Sequence, residues 1–259
     1  MQKPTFKRIY LSLATILILI LHFPLLSANN KPAHDTKPVS VSNEAIIHTG
    51  AEHAAANENL LSHADAMYDS MDLDLKGLSK TAFDYAIKGF NYLVQTGQFA
   101  NDNIISIVDF SLPSSRKRLF VIDLDQVKVL FNTYVAHGSK SGAAMATEFS
   151  NKPESNKSSL GFYQTLQTYS GGHGYSLKLE GLERGINDNA NSRAIVIHAA
   201  DYVDESLIRS QGYIGRSWGC PALPEKLCKP IINTIKGGTC LFIYSSNKSY
   251  LNNSKIINA

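Results

Sequence analysis

Apolar and polar positions follow two rhythms along this chain. From Ser79 onward apolar residues fall at Ala82, Phe83, Ala86, Phe90 and Leu93, the i, i+3, i+4 spacing of one helix face, with Ser79 as N-cap and Gly97 beyond the end. Beyond Gly97 the apolar residues gather in short runs rich in β-branched side chains. Ile104 to Phe110, Arg118 to Leu124 and Val127 to Ala136 read as three strands of an antiparallel meander, turned at Pro113-Ser114-Ser115 and at Asp123 to Gln126. Gly161 to Leu166 and Tyr175 to Leu179 predict two more strands about the glycine-rich segment Tyr169 to Gly174. Ala194 to Ile197 predicts a buried strand ending at His198. Leu223, Leu227, Ile231 and Ile235 then mark a helix entered through Pro221 and Pro224, kinked at Pro230 and stopped by Gly237-Gly238, before a last strand from Thr239 to Ser245. The pattern predicts a mainly β domain with helices, an α+β fold.

The ends of the chain have a different character. Lys3, Lys7 and Arg8 precede an apolar run from Ile9 to Leu26 and the small residues Ser27-Ala28, the order of a secretory signal cleaved after Ala28. The run also has the length of a membrane span, so an uncleaved inner-membrane anchor is the alternative. Either reading exports the remainder to the periplasm or cell envelope. Residues 29–77 read as a polar linker, disordered to Ser42 and then carrying a helix within Asn43 to Met71. His48, His53 and His63 lie there without a cysteine or paired carboxylate, so no metal is assigned to them. Residues 78–246 form the expected catalytic domain and 247–259 a polar tail.

Composition narrows the classes. With 259 residues, 44% of them hydrophobic, the chain suits one globular domain plus extensions, and a net charge of +3 without a dense basic block gives no reason to expect a nucleic-acid partner.

The chemistry concentrates between Arg193 and Pro224. Gly215-Arg216-Ser217-Trp218-Gly219-Cys220-Pro221 holds a cysteine in a tight loop, and His198 stands upstream at a strand. A cysteine attacks as thiolate, and a neighbouring imidazole can take its proton, so Cys220 and His198 make a natural couple. The backbone N–H groups of Gly219 and Cys220, with that of Trp218, are candidates for an oxyanion hole. No cofactor is needed by such a couple.

The string HAA…GRSWGCPAL resembles the catalytic signature of bacterial murein L,D-transpeptidases, His-Gly/Ala-Ala…Ser-x-Gly-Cys-Pro. The likeness continues upstream through DFSLPSSRKRLFVIDL, VAHGSKSG, SSLGFYQT and YSGGHGYSLKLEGLERGIN, and so covers about Leu78 to Ser245. Better-known members of the wider superfamily carry Ser-His-Gly-Cys, whereas Trp218 occupies the place of that histidine, which leaves His198 as the base. The resemblance implies a mixed β-sheet or sandwich domain acting on peptidoglycan stem peptides. It implies that Cys220 cuts a tetrapeptide stem between its third residue, usually diaminopimelate, and D-Ala, forming a thioester that passes to an amine of another stem. The rivals are an L,D-carboxypeptidase that passes it to water and a non-catalytic wall-binding protein.

Secondary candidates are less determined by sequence. His137, at a strand end, is either a residue near the cleft or part of a surface turn, and His173 belongs either to a plain hairpin or to the cleft. Arg216 and Arg193 suit the carboxylates of stem peptides, or are ordinary surface cations. Ser217 and Trp218 join the substrate-binding set through the motif. The orienter of His198 is expected to be a backbone carbonyl, with Asp201 the less favoured choice. Cys228 and Cys240 either pair as a disulfide or stay buried as thiols, and a first turn of the Pro224 helix close to Cys220 would lower its pKa.

Overall fold

The computed structural model describes residues 62–259; the expected leader, the spacer after it, His48 and His53 lie outside that range. Helix α1, whose described part is 62–70, buries Ala64, Met67 and Tyr68 at helical spacing and leaves His63 exposed. A short α2 (Leu73–Lys76) leads to α3 (Lys80–Gln95), whose N-cap Ser79 accepts from the N–H of Ala82, as the sequence predicts. The expected apolar stripe of α3 is buried, and Gly89 lets Phe162 approach so closely that an added Cβ would stand 2.1 Å from the ring.

Eight strands follow: β1 (Ile104–Asp109), β2 (Leu119–Asp123), β3 (Lys128–Thr133), β4 (Gly161–Gly171), β5 (Gly174–Gly181), β6 (Val196–Ala200), β7 (Ala222–Pro224) and β8 (Cys240–Tyr244). They form one sheet in the order β3-β2-β1-β8-β4-β5-β6-β7. The β1-β2-β3 meander is antiparallel as expected, but β1 pairs in parallel with β8 and β6 with β7, which makes the sheet mixed. Every residue of β1 and β8 is buried. Both faces of the sheet centre are therefore covered, which explains runs of continuous rather than alternating hydrophobicity. Helix α4 (Glu205–Gln211) lies between β6 and β7, and α5 (Glu225–Ile235) packs Ile231, Ile232 and Ile235 into the core with Pro230 inside it.

Three expectations are corrected. The strand expected to end at His198 begins at Val196 and runs to Ala200, because Ala194 adopts a left-handed φ of 54° and delays it. His198 is thus at mid-strand. Between Cys220 and the following helix stands β7, so the cysteine is not at a helix start and gains nothing from a helix dipole. Residues 247–259 are not a loose tail: α6 (Lys248–Asn253) buries Tyr250, and Ile256 and Ile257 are buried after it. Tyr250 and Ser254 donate hydrogen bonds to the buried carboxylate of Glu183, which also accepts from the N–H of Phe162 at 2.9 Å. Three apolar anchors among many Asn and Ser residues gave no periodic signal. Cys228 and Cys240 are both free and buried.

Among the described residues no helix is long and apolar enough to cross a membrane.

Candidate active site

Three loops meet at the start of β7. Ser217 is strapped to the segment after β3, donating its N–H to the carbonyl of His137 (2.9 Å) and accepting from the N–H of Ser139 (2.7 Å). Ser158, from the loop before β4, accepts from the N–H of Gly138 and donates to the carbonyl of Gly219, both at 3.0 Å. Gly138 and Gly219 have no room for a side chain: a Cβ on Gly138 would lie 2.5 Å from the carbonyl of Asn156, and one on Gly219 2.9 Å from that of Lys157. Gly219 also holds φ at 126°, a conformation glycine tolerates.

Cys220 is half-buried at the head of this loop. Its Sγ accepts from the N–H of Val196 at 3.5 Å and donates to the carbonyl of Ala194 at 3.7 Å, taking the place of a strand partner along β6 where β7 has not yet begun. Burial raises the Cys220 pKa, offset in part by the Val196 N–H and the charge of Arg193, so the resting group is a neutral thiol.

His198 is 3% exposed on β6, opposite Ala222 of β7. Its Nδ1 lies 2.8 Å from the carbonyl of Ala199. A carbonyl only accepts, so Nδ1 carries the proton and Nε2 presents a lone pair. The orienter is therefore a backbone carbonyl and not Asp201. Nε2 has no hydrogen-bond partner among the described residues. Burial lowers the His198 pKa, the Ala199 bond opposes that, and His173 adds to the lowering, so the imidazole is neutral near pH 7. No hydrogen bond joins Nε2 to the Cys220 thiol, which is turned into the edge of β6.

The remaining candidates separate. Ser217 Oγ donates to the carbonyl of Cys220 at 2.6 Å and accepts from the N–H of Gly219 at 3.0 Å. The Gly219 amide is therefore occupied, which removes it from the oxyanion set; the N–H groups of Trp218 and Cys220 carry no partner among the described residues. Trp218 is 80% exposed. Arg216 is exposed, lies over the Tyr213 ring, and donates to the carbonyl of Gly142 at 3.0 Å. Arg193 is committed to the loop before β4, donating at 2.8 Å to the carbonyls of both Ser150 and Lys157, and so braces the site instead of offering a free cation.

His137 is not at a cleft. It is fully buried, accepts from Arg118 Nη2 at Nδ1 (2.7 Å) and faces the carbonyl of Gly142 through Nε2 (3.3 Å), leaving no ring nitrogen for a ligand. Burial and the Arg118 charge push its pKa down to about 4. His173 is near the site: it sits on the two-residue turn between β4 and β5, and its ring stacks on that of His198 with centroids 4.4 Å apart. Ser158 was missed by sequence, since its bond to Gly219 spans 61 residues and a serine in a polar loop gives no signal. A separate open cavity of about 380 Å³ lies at the far ends of β6 and β7, lined by Tyr134, Ala200, Asp204 and Glu225 among others, away from the thiol.

No curated protein sequence matches the chain. Solved structures with a similar trace include an L,D-transpeptidase from Mycobacterium smegmatis (12% identity, 55% of this chain and 59% of that one, TM-score 0.35). They also include L,D-transpeptidase 1 of Mycobacterium tuberculosis (10%, 55% and 62%, TM-score 0.32) and the helical cell shape determining protein of Campylobacter jejuni (13%, 63% and 57%, TM-score 0.39). The chain spans less than two thirds of each of these proteins. The family described as L,D-transpeptidase catalytic domain matches residues 74–244, more than half of the sequence and all of the loops that meet at Cys220. By that match the chain belongs to the L,D-transpeptidase catalytic domain family.

Proposed function

We propose that the protein is an exported peptidoglycan L,D-transpeptidase working through Cys220 and His198. The observation that carries this reading is the buried imidazole of His198, tautomerically fixed by Ala199 and left with a vacant Nε2 on the strand against which the Cys220 thiol rests. In the first half-reaction the thiol leaves its contacts with Ala194 and Val196 and gives its proton to Nε2. The sulfur then attacks the carbonyl of the third stem residue. The N–H groups of Cys220 and Trp218 stabilise the oxyanion. The tetrahedral species collapses, the C–N bond breaks, and His198 returns the proton to the departing D-Ala amine. A thioester to Cys220 remains. In the second half, an amine of another stem attacks that thioester, His198 takes the amine proton, and the sulfur leaves with it, yielding a new amide between two stems. Arg216 and the exposed indole of Trp218, on the loop that leads to Cys220, are the remaining candidates for contacts to the stem peptide.

The reading is tested by incubating the purified protein with disaccharide-tetrapeptide and following products by mass spectrometry beside a Cys220→Ala control. A cross-linked dimer that has lost one D-Ala, absent from the control, is the expected result. Tripeptide without dimer would make the protein a carboxypeptidase, and binding without turnover a wall-binding protein.

A further inference from the structure

The turn joining β4 to β5 is the two residues Gly172-His173, closed by the Gly171 and Gly174 pair. It is exposed and lightly held: a Cβ at Gly172 or at Gly174 would meet nothing within 4 Å. The paired part of β5 stops at Leu177 opposite Ile197, so the tip of the hairpin runs on past the end of the β5-β6 ladder. Even so, the His173 ring comes to rest on His198 with centroids 4.4 Å apart and planes inclined by 27°. The imidazole beneath it is fastened through one nitrogen alone, the 2.8 Å bond from Nδ1 to Ala199. A ring bonded at one edge can still turn about its Cβ–Cγ bond, exchange its nitrogens and lose the acceptor that a general base needs. A flat partner lying on its face resists that turn and keeps water from it.

We propose that His173 is a positioning residue, a clamp delivered by the β4-β5 turn that holds His198 in the rotamer and Nδ1–H tautomer with Nε2 unpaired. The role differs both from a plain hairpin turn and from a direct contact to the substrate in the cleft. It rests on the reading of His198 as the base, and it requires only the ring face of His173, so another flat side chain should serve.

The test uses the whole protein with His173→Ala and His173→Phe, both at an open turn. The first readout is the ¹⁵N shifts of the His198 ring near pH 8, assigned by their loss in His198→Ala, which needs no turnover. Wild type and His173→Phe should show a single Nδ1–H tautomer, and His173→Ala a mixture. The second readout is steady-state transfer with tetrapeptide stems. His173→Ala should lower kcat about tenfold with KM within about twofold of wild type, and His173→Phe should restore most of the loss. An unchanged tautomer in His173→Ala overturns the clamp, as does a raised KM with kcat intact, which would mark a substrate contact. Failure of the catalytic reading looks different: His198→Ala or Cys220→Ala would keep full activity, while the dependence of the His198 tautomer on His173 would still be measurable.

Discussion

Two histidines in this molecule share burial and depressed basicity, yet their surroundings point to opposite roles. His137 is fully enclosed beneath Phe110, receives Arg118 at one nitrogen and faces the Gly142 carbonyl with the other. His198 is almost as buried but spends only Nδ1 on the backbone, leaving Nε2 without a partner among the described residues. A ring nitrogen without a partner is free to take up a proton, whereas one already engaged is not. The saturated imidazole is a structural joint between β2 and the loop after β3. The half-saturated one has a lone pair to lend. What separates them is neither depth nor pKa direction but the number of engaged nitrogens.

The contrast is broken most sharply by truncating each ring. His198→Ala should reduce kcat/KM for stem transfer by about 10³-fold, the scale of a lost general base, while costing less stability than truncation of the doubly bonded His137. His137→Ala should do the reverse, costing about 2–4 kcal/mol of stability because it opens a cavity and strips the buried Arg118 of a partner, with the folded fraction still active. Equilibrium unfolding and initial rates on the two variants check both halves. A His137→Ala protein that unfolds like wild type would remove the structural assignment.

The next effect concerns pH. The folded His137 is held down to about 4 against an ordinary value of 6.5, so its neutral form is favoured by folding. That contribution is complete above about pH 6.5 and is lost as pH falls toward 4, because the unfolded chain binds the proton first; the gap corresponds to about 3 kcal/mol. Unfolding free energies from pH 7 to pH 4 should show the decline, and His137→Gln, which keeps an acceptor and a donor without titrating there, should flatten it. His198 is also lowered, so the acid limb of kcat/KM should fall below the ordinary imidazole midpoint. An acid limb above 6.5 would contradict a buried neutral base.

A smaller effect should follow from Ser217→Ala. The hydroxyl ties the Gly219 N–H to the Cys220 carbonyl across the Cys220 loop. Removing it leaves both groups unpaired and loosens the donors flanking the thiol, with an expected loss of about tenfold in kcat and about 1 kcal/mol in stability. Iodoacetamide labelling of Cys220, followed alongside, should change rate in the same variant. A labelling rate and kcat equal to wild type would show that the brace is dispensable.

Much of the frame was legible from local pattern. The N-cap at Ser79, the stripe of α3, the β1-β2-β3 meander and the isoleucines of α5 each follow from spacing over a few residues. The motif brought Cys220 and His198 together as candidates, and the fold places both along β6. The packed C-terminal segment escaped because Tyr250 and Ser254 are held by Glu183, about seventy residues upstream, and its apolar anchors carry no period.

What the sequence determined by itself, then, are features fixed by near neighbours: where the elements lie, which face of α3 is apolar, and which residue types could act on an amide. What only the tertiary structure decided is the state of each group. Whether an amide is free or taken, as at Gly219, whether an imidazole keeps a vacant nitrogen, as at His198 but not His137, and whether Cys220 rests as thiol all depend on partners brought from distant segments. Hydrogen bonding and desolvation act through space at a few ångströms, and sequence separation carries no record of that distance.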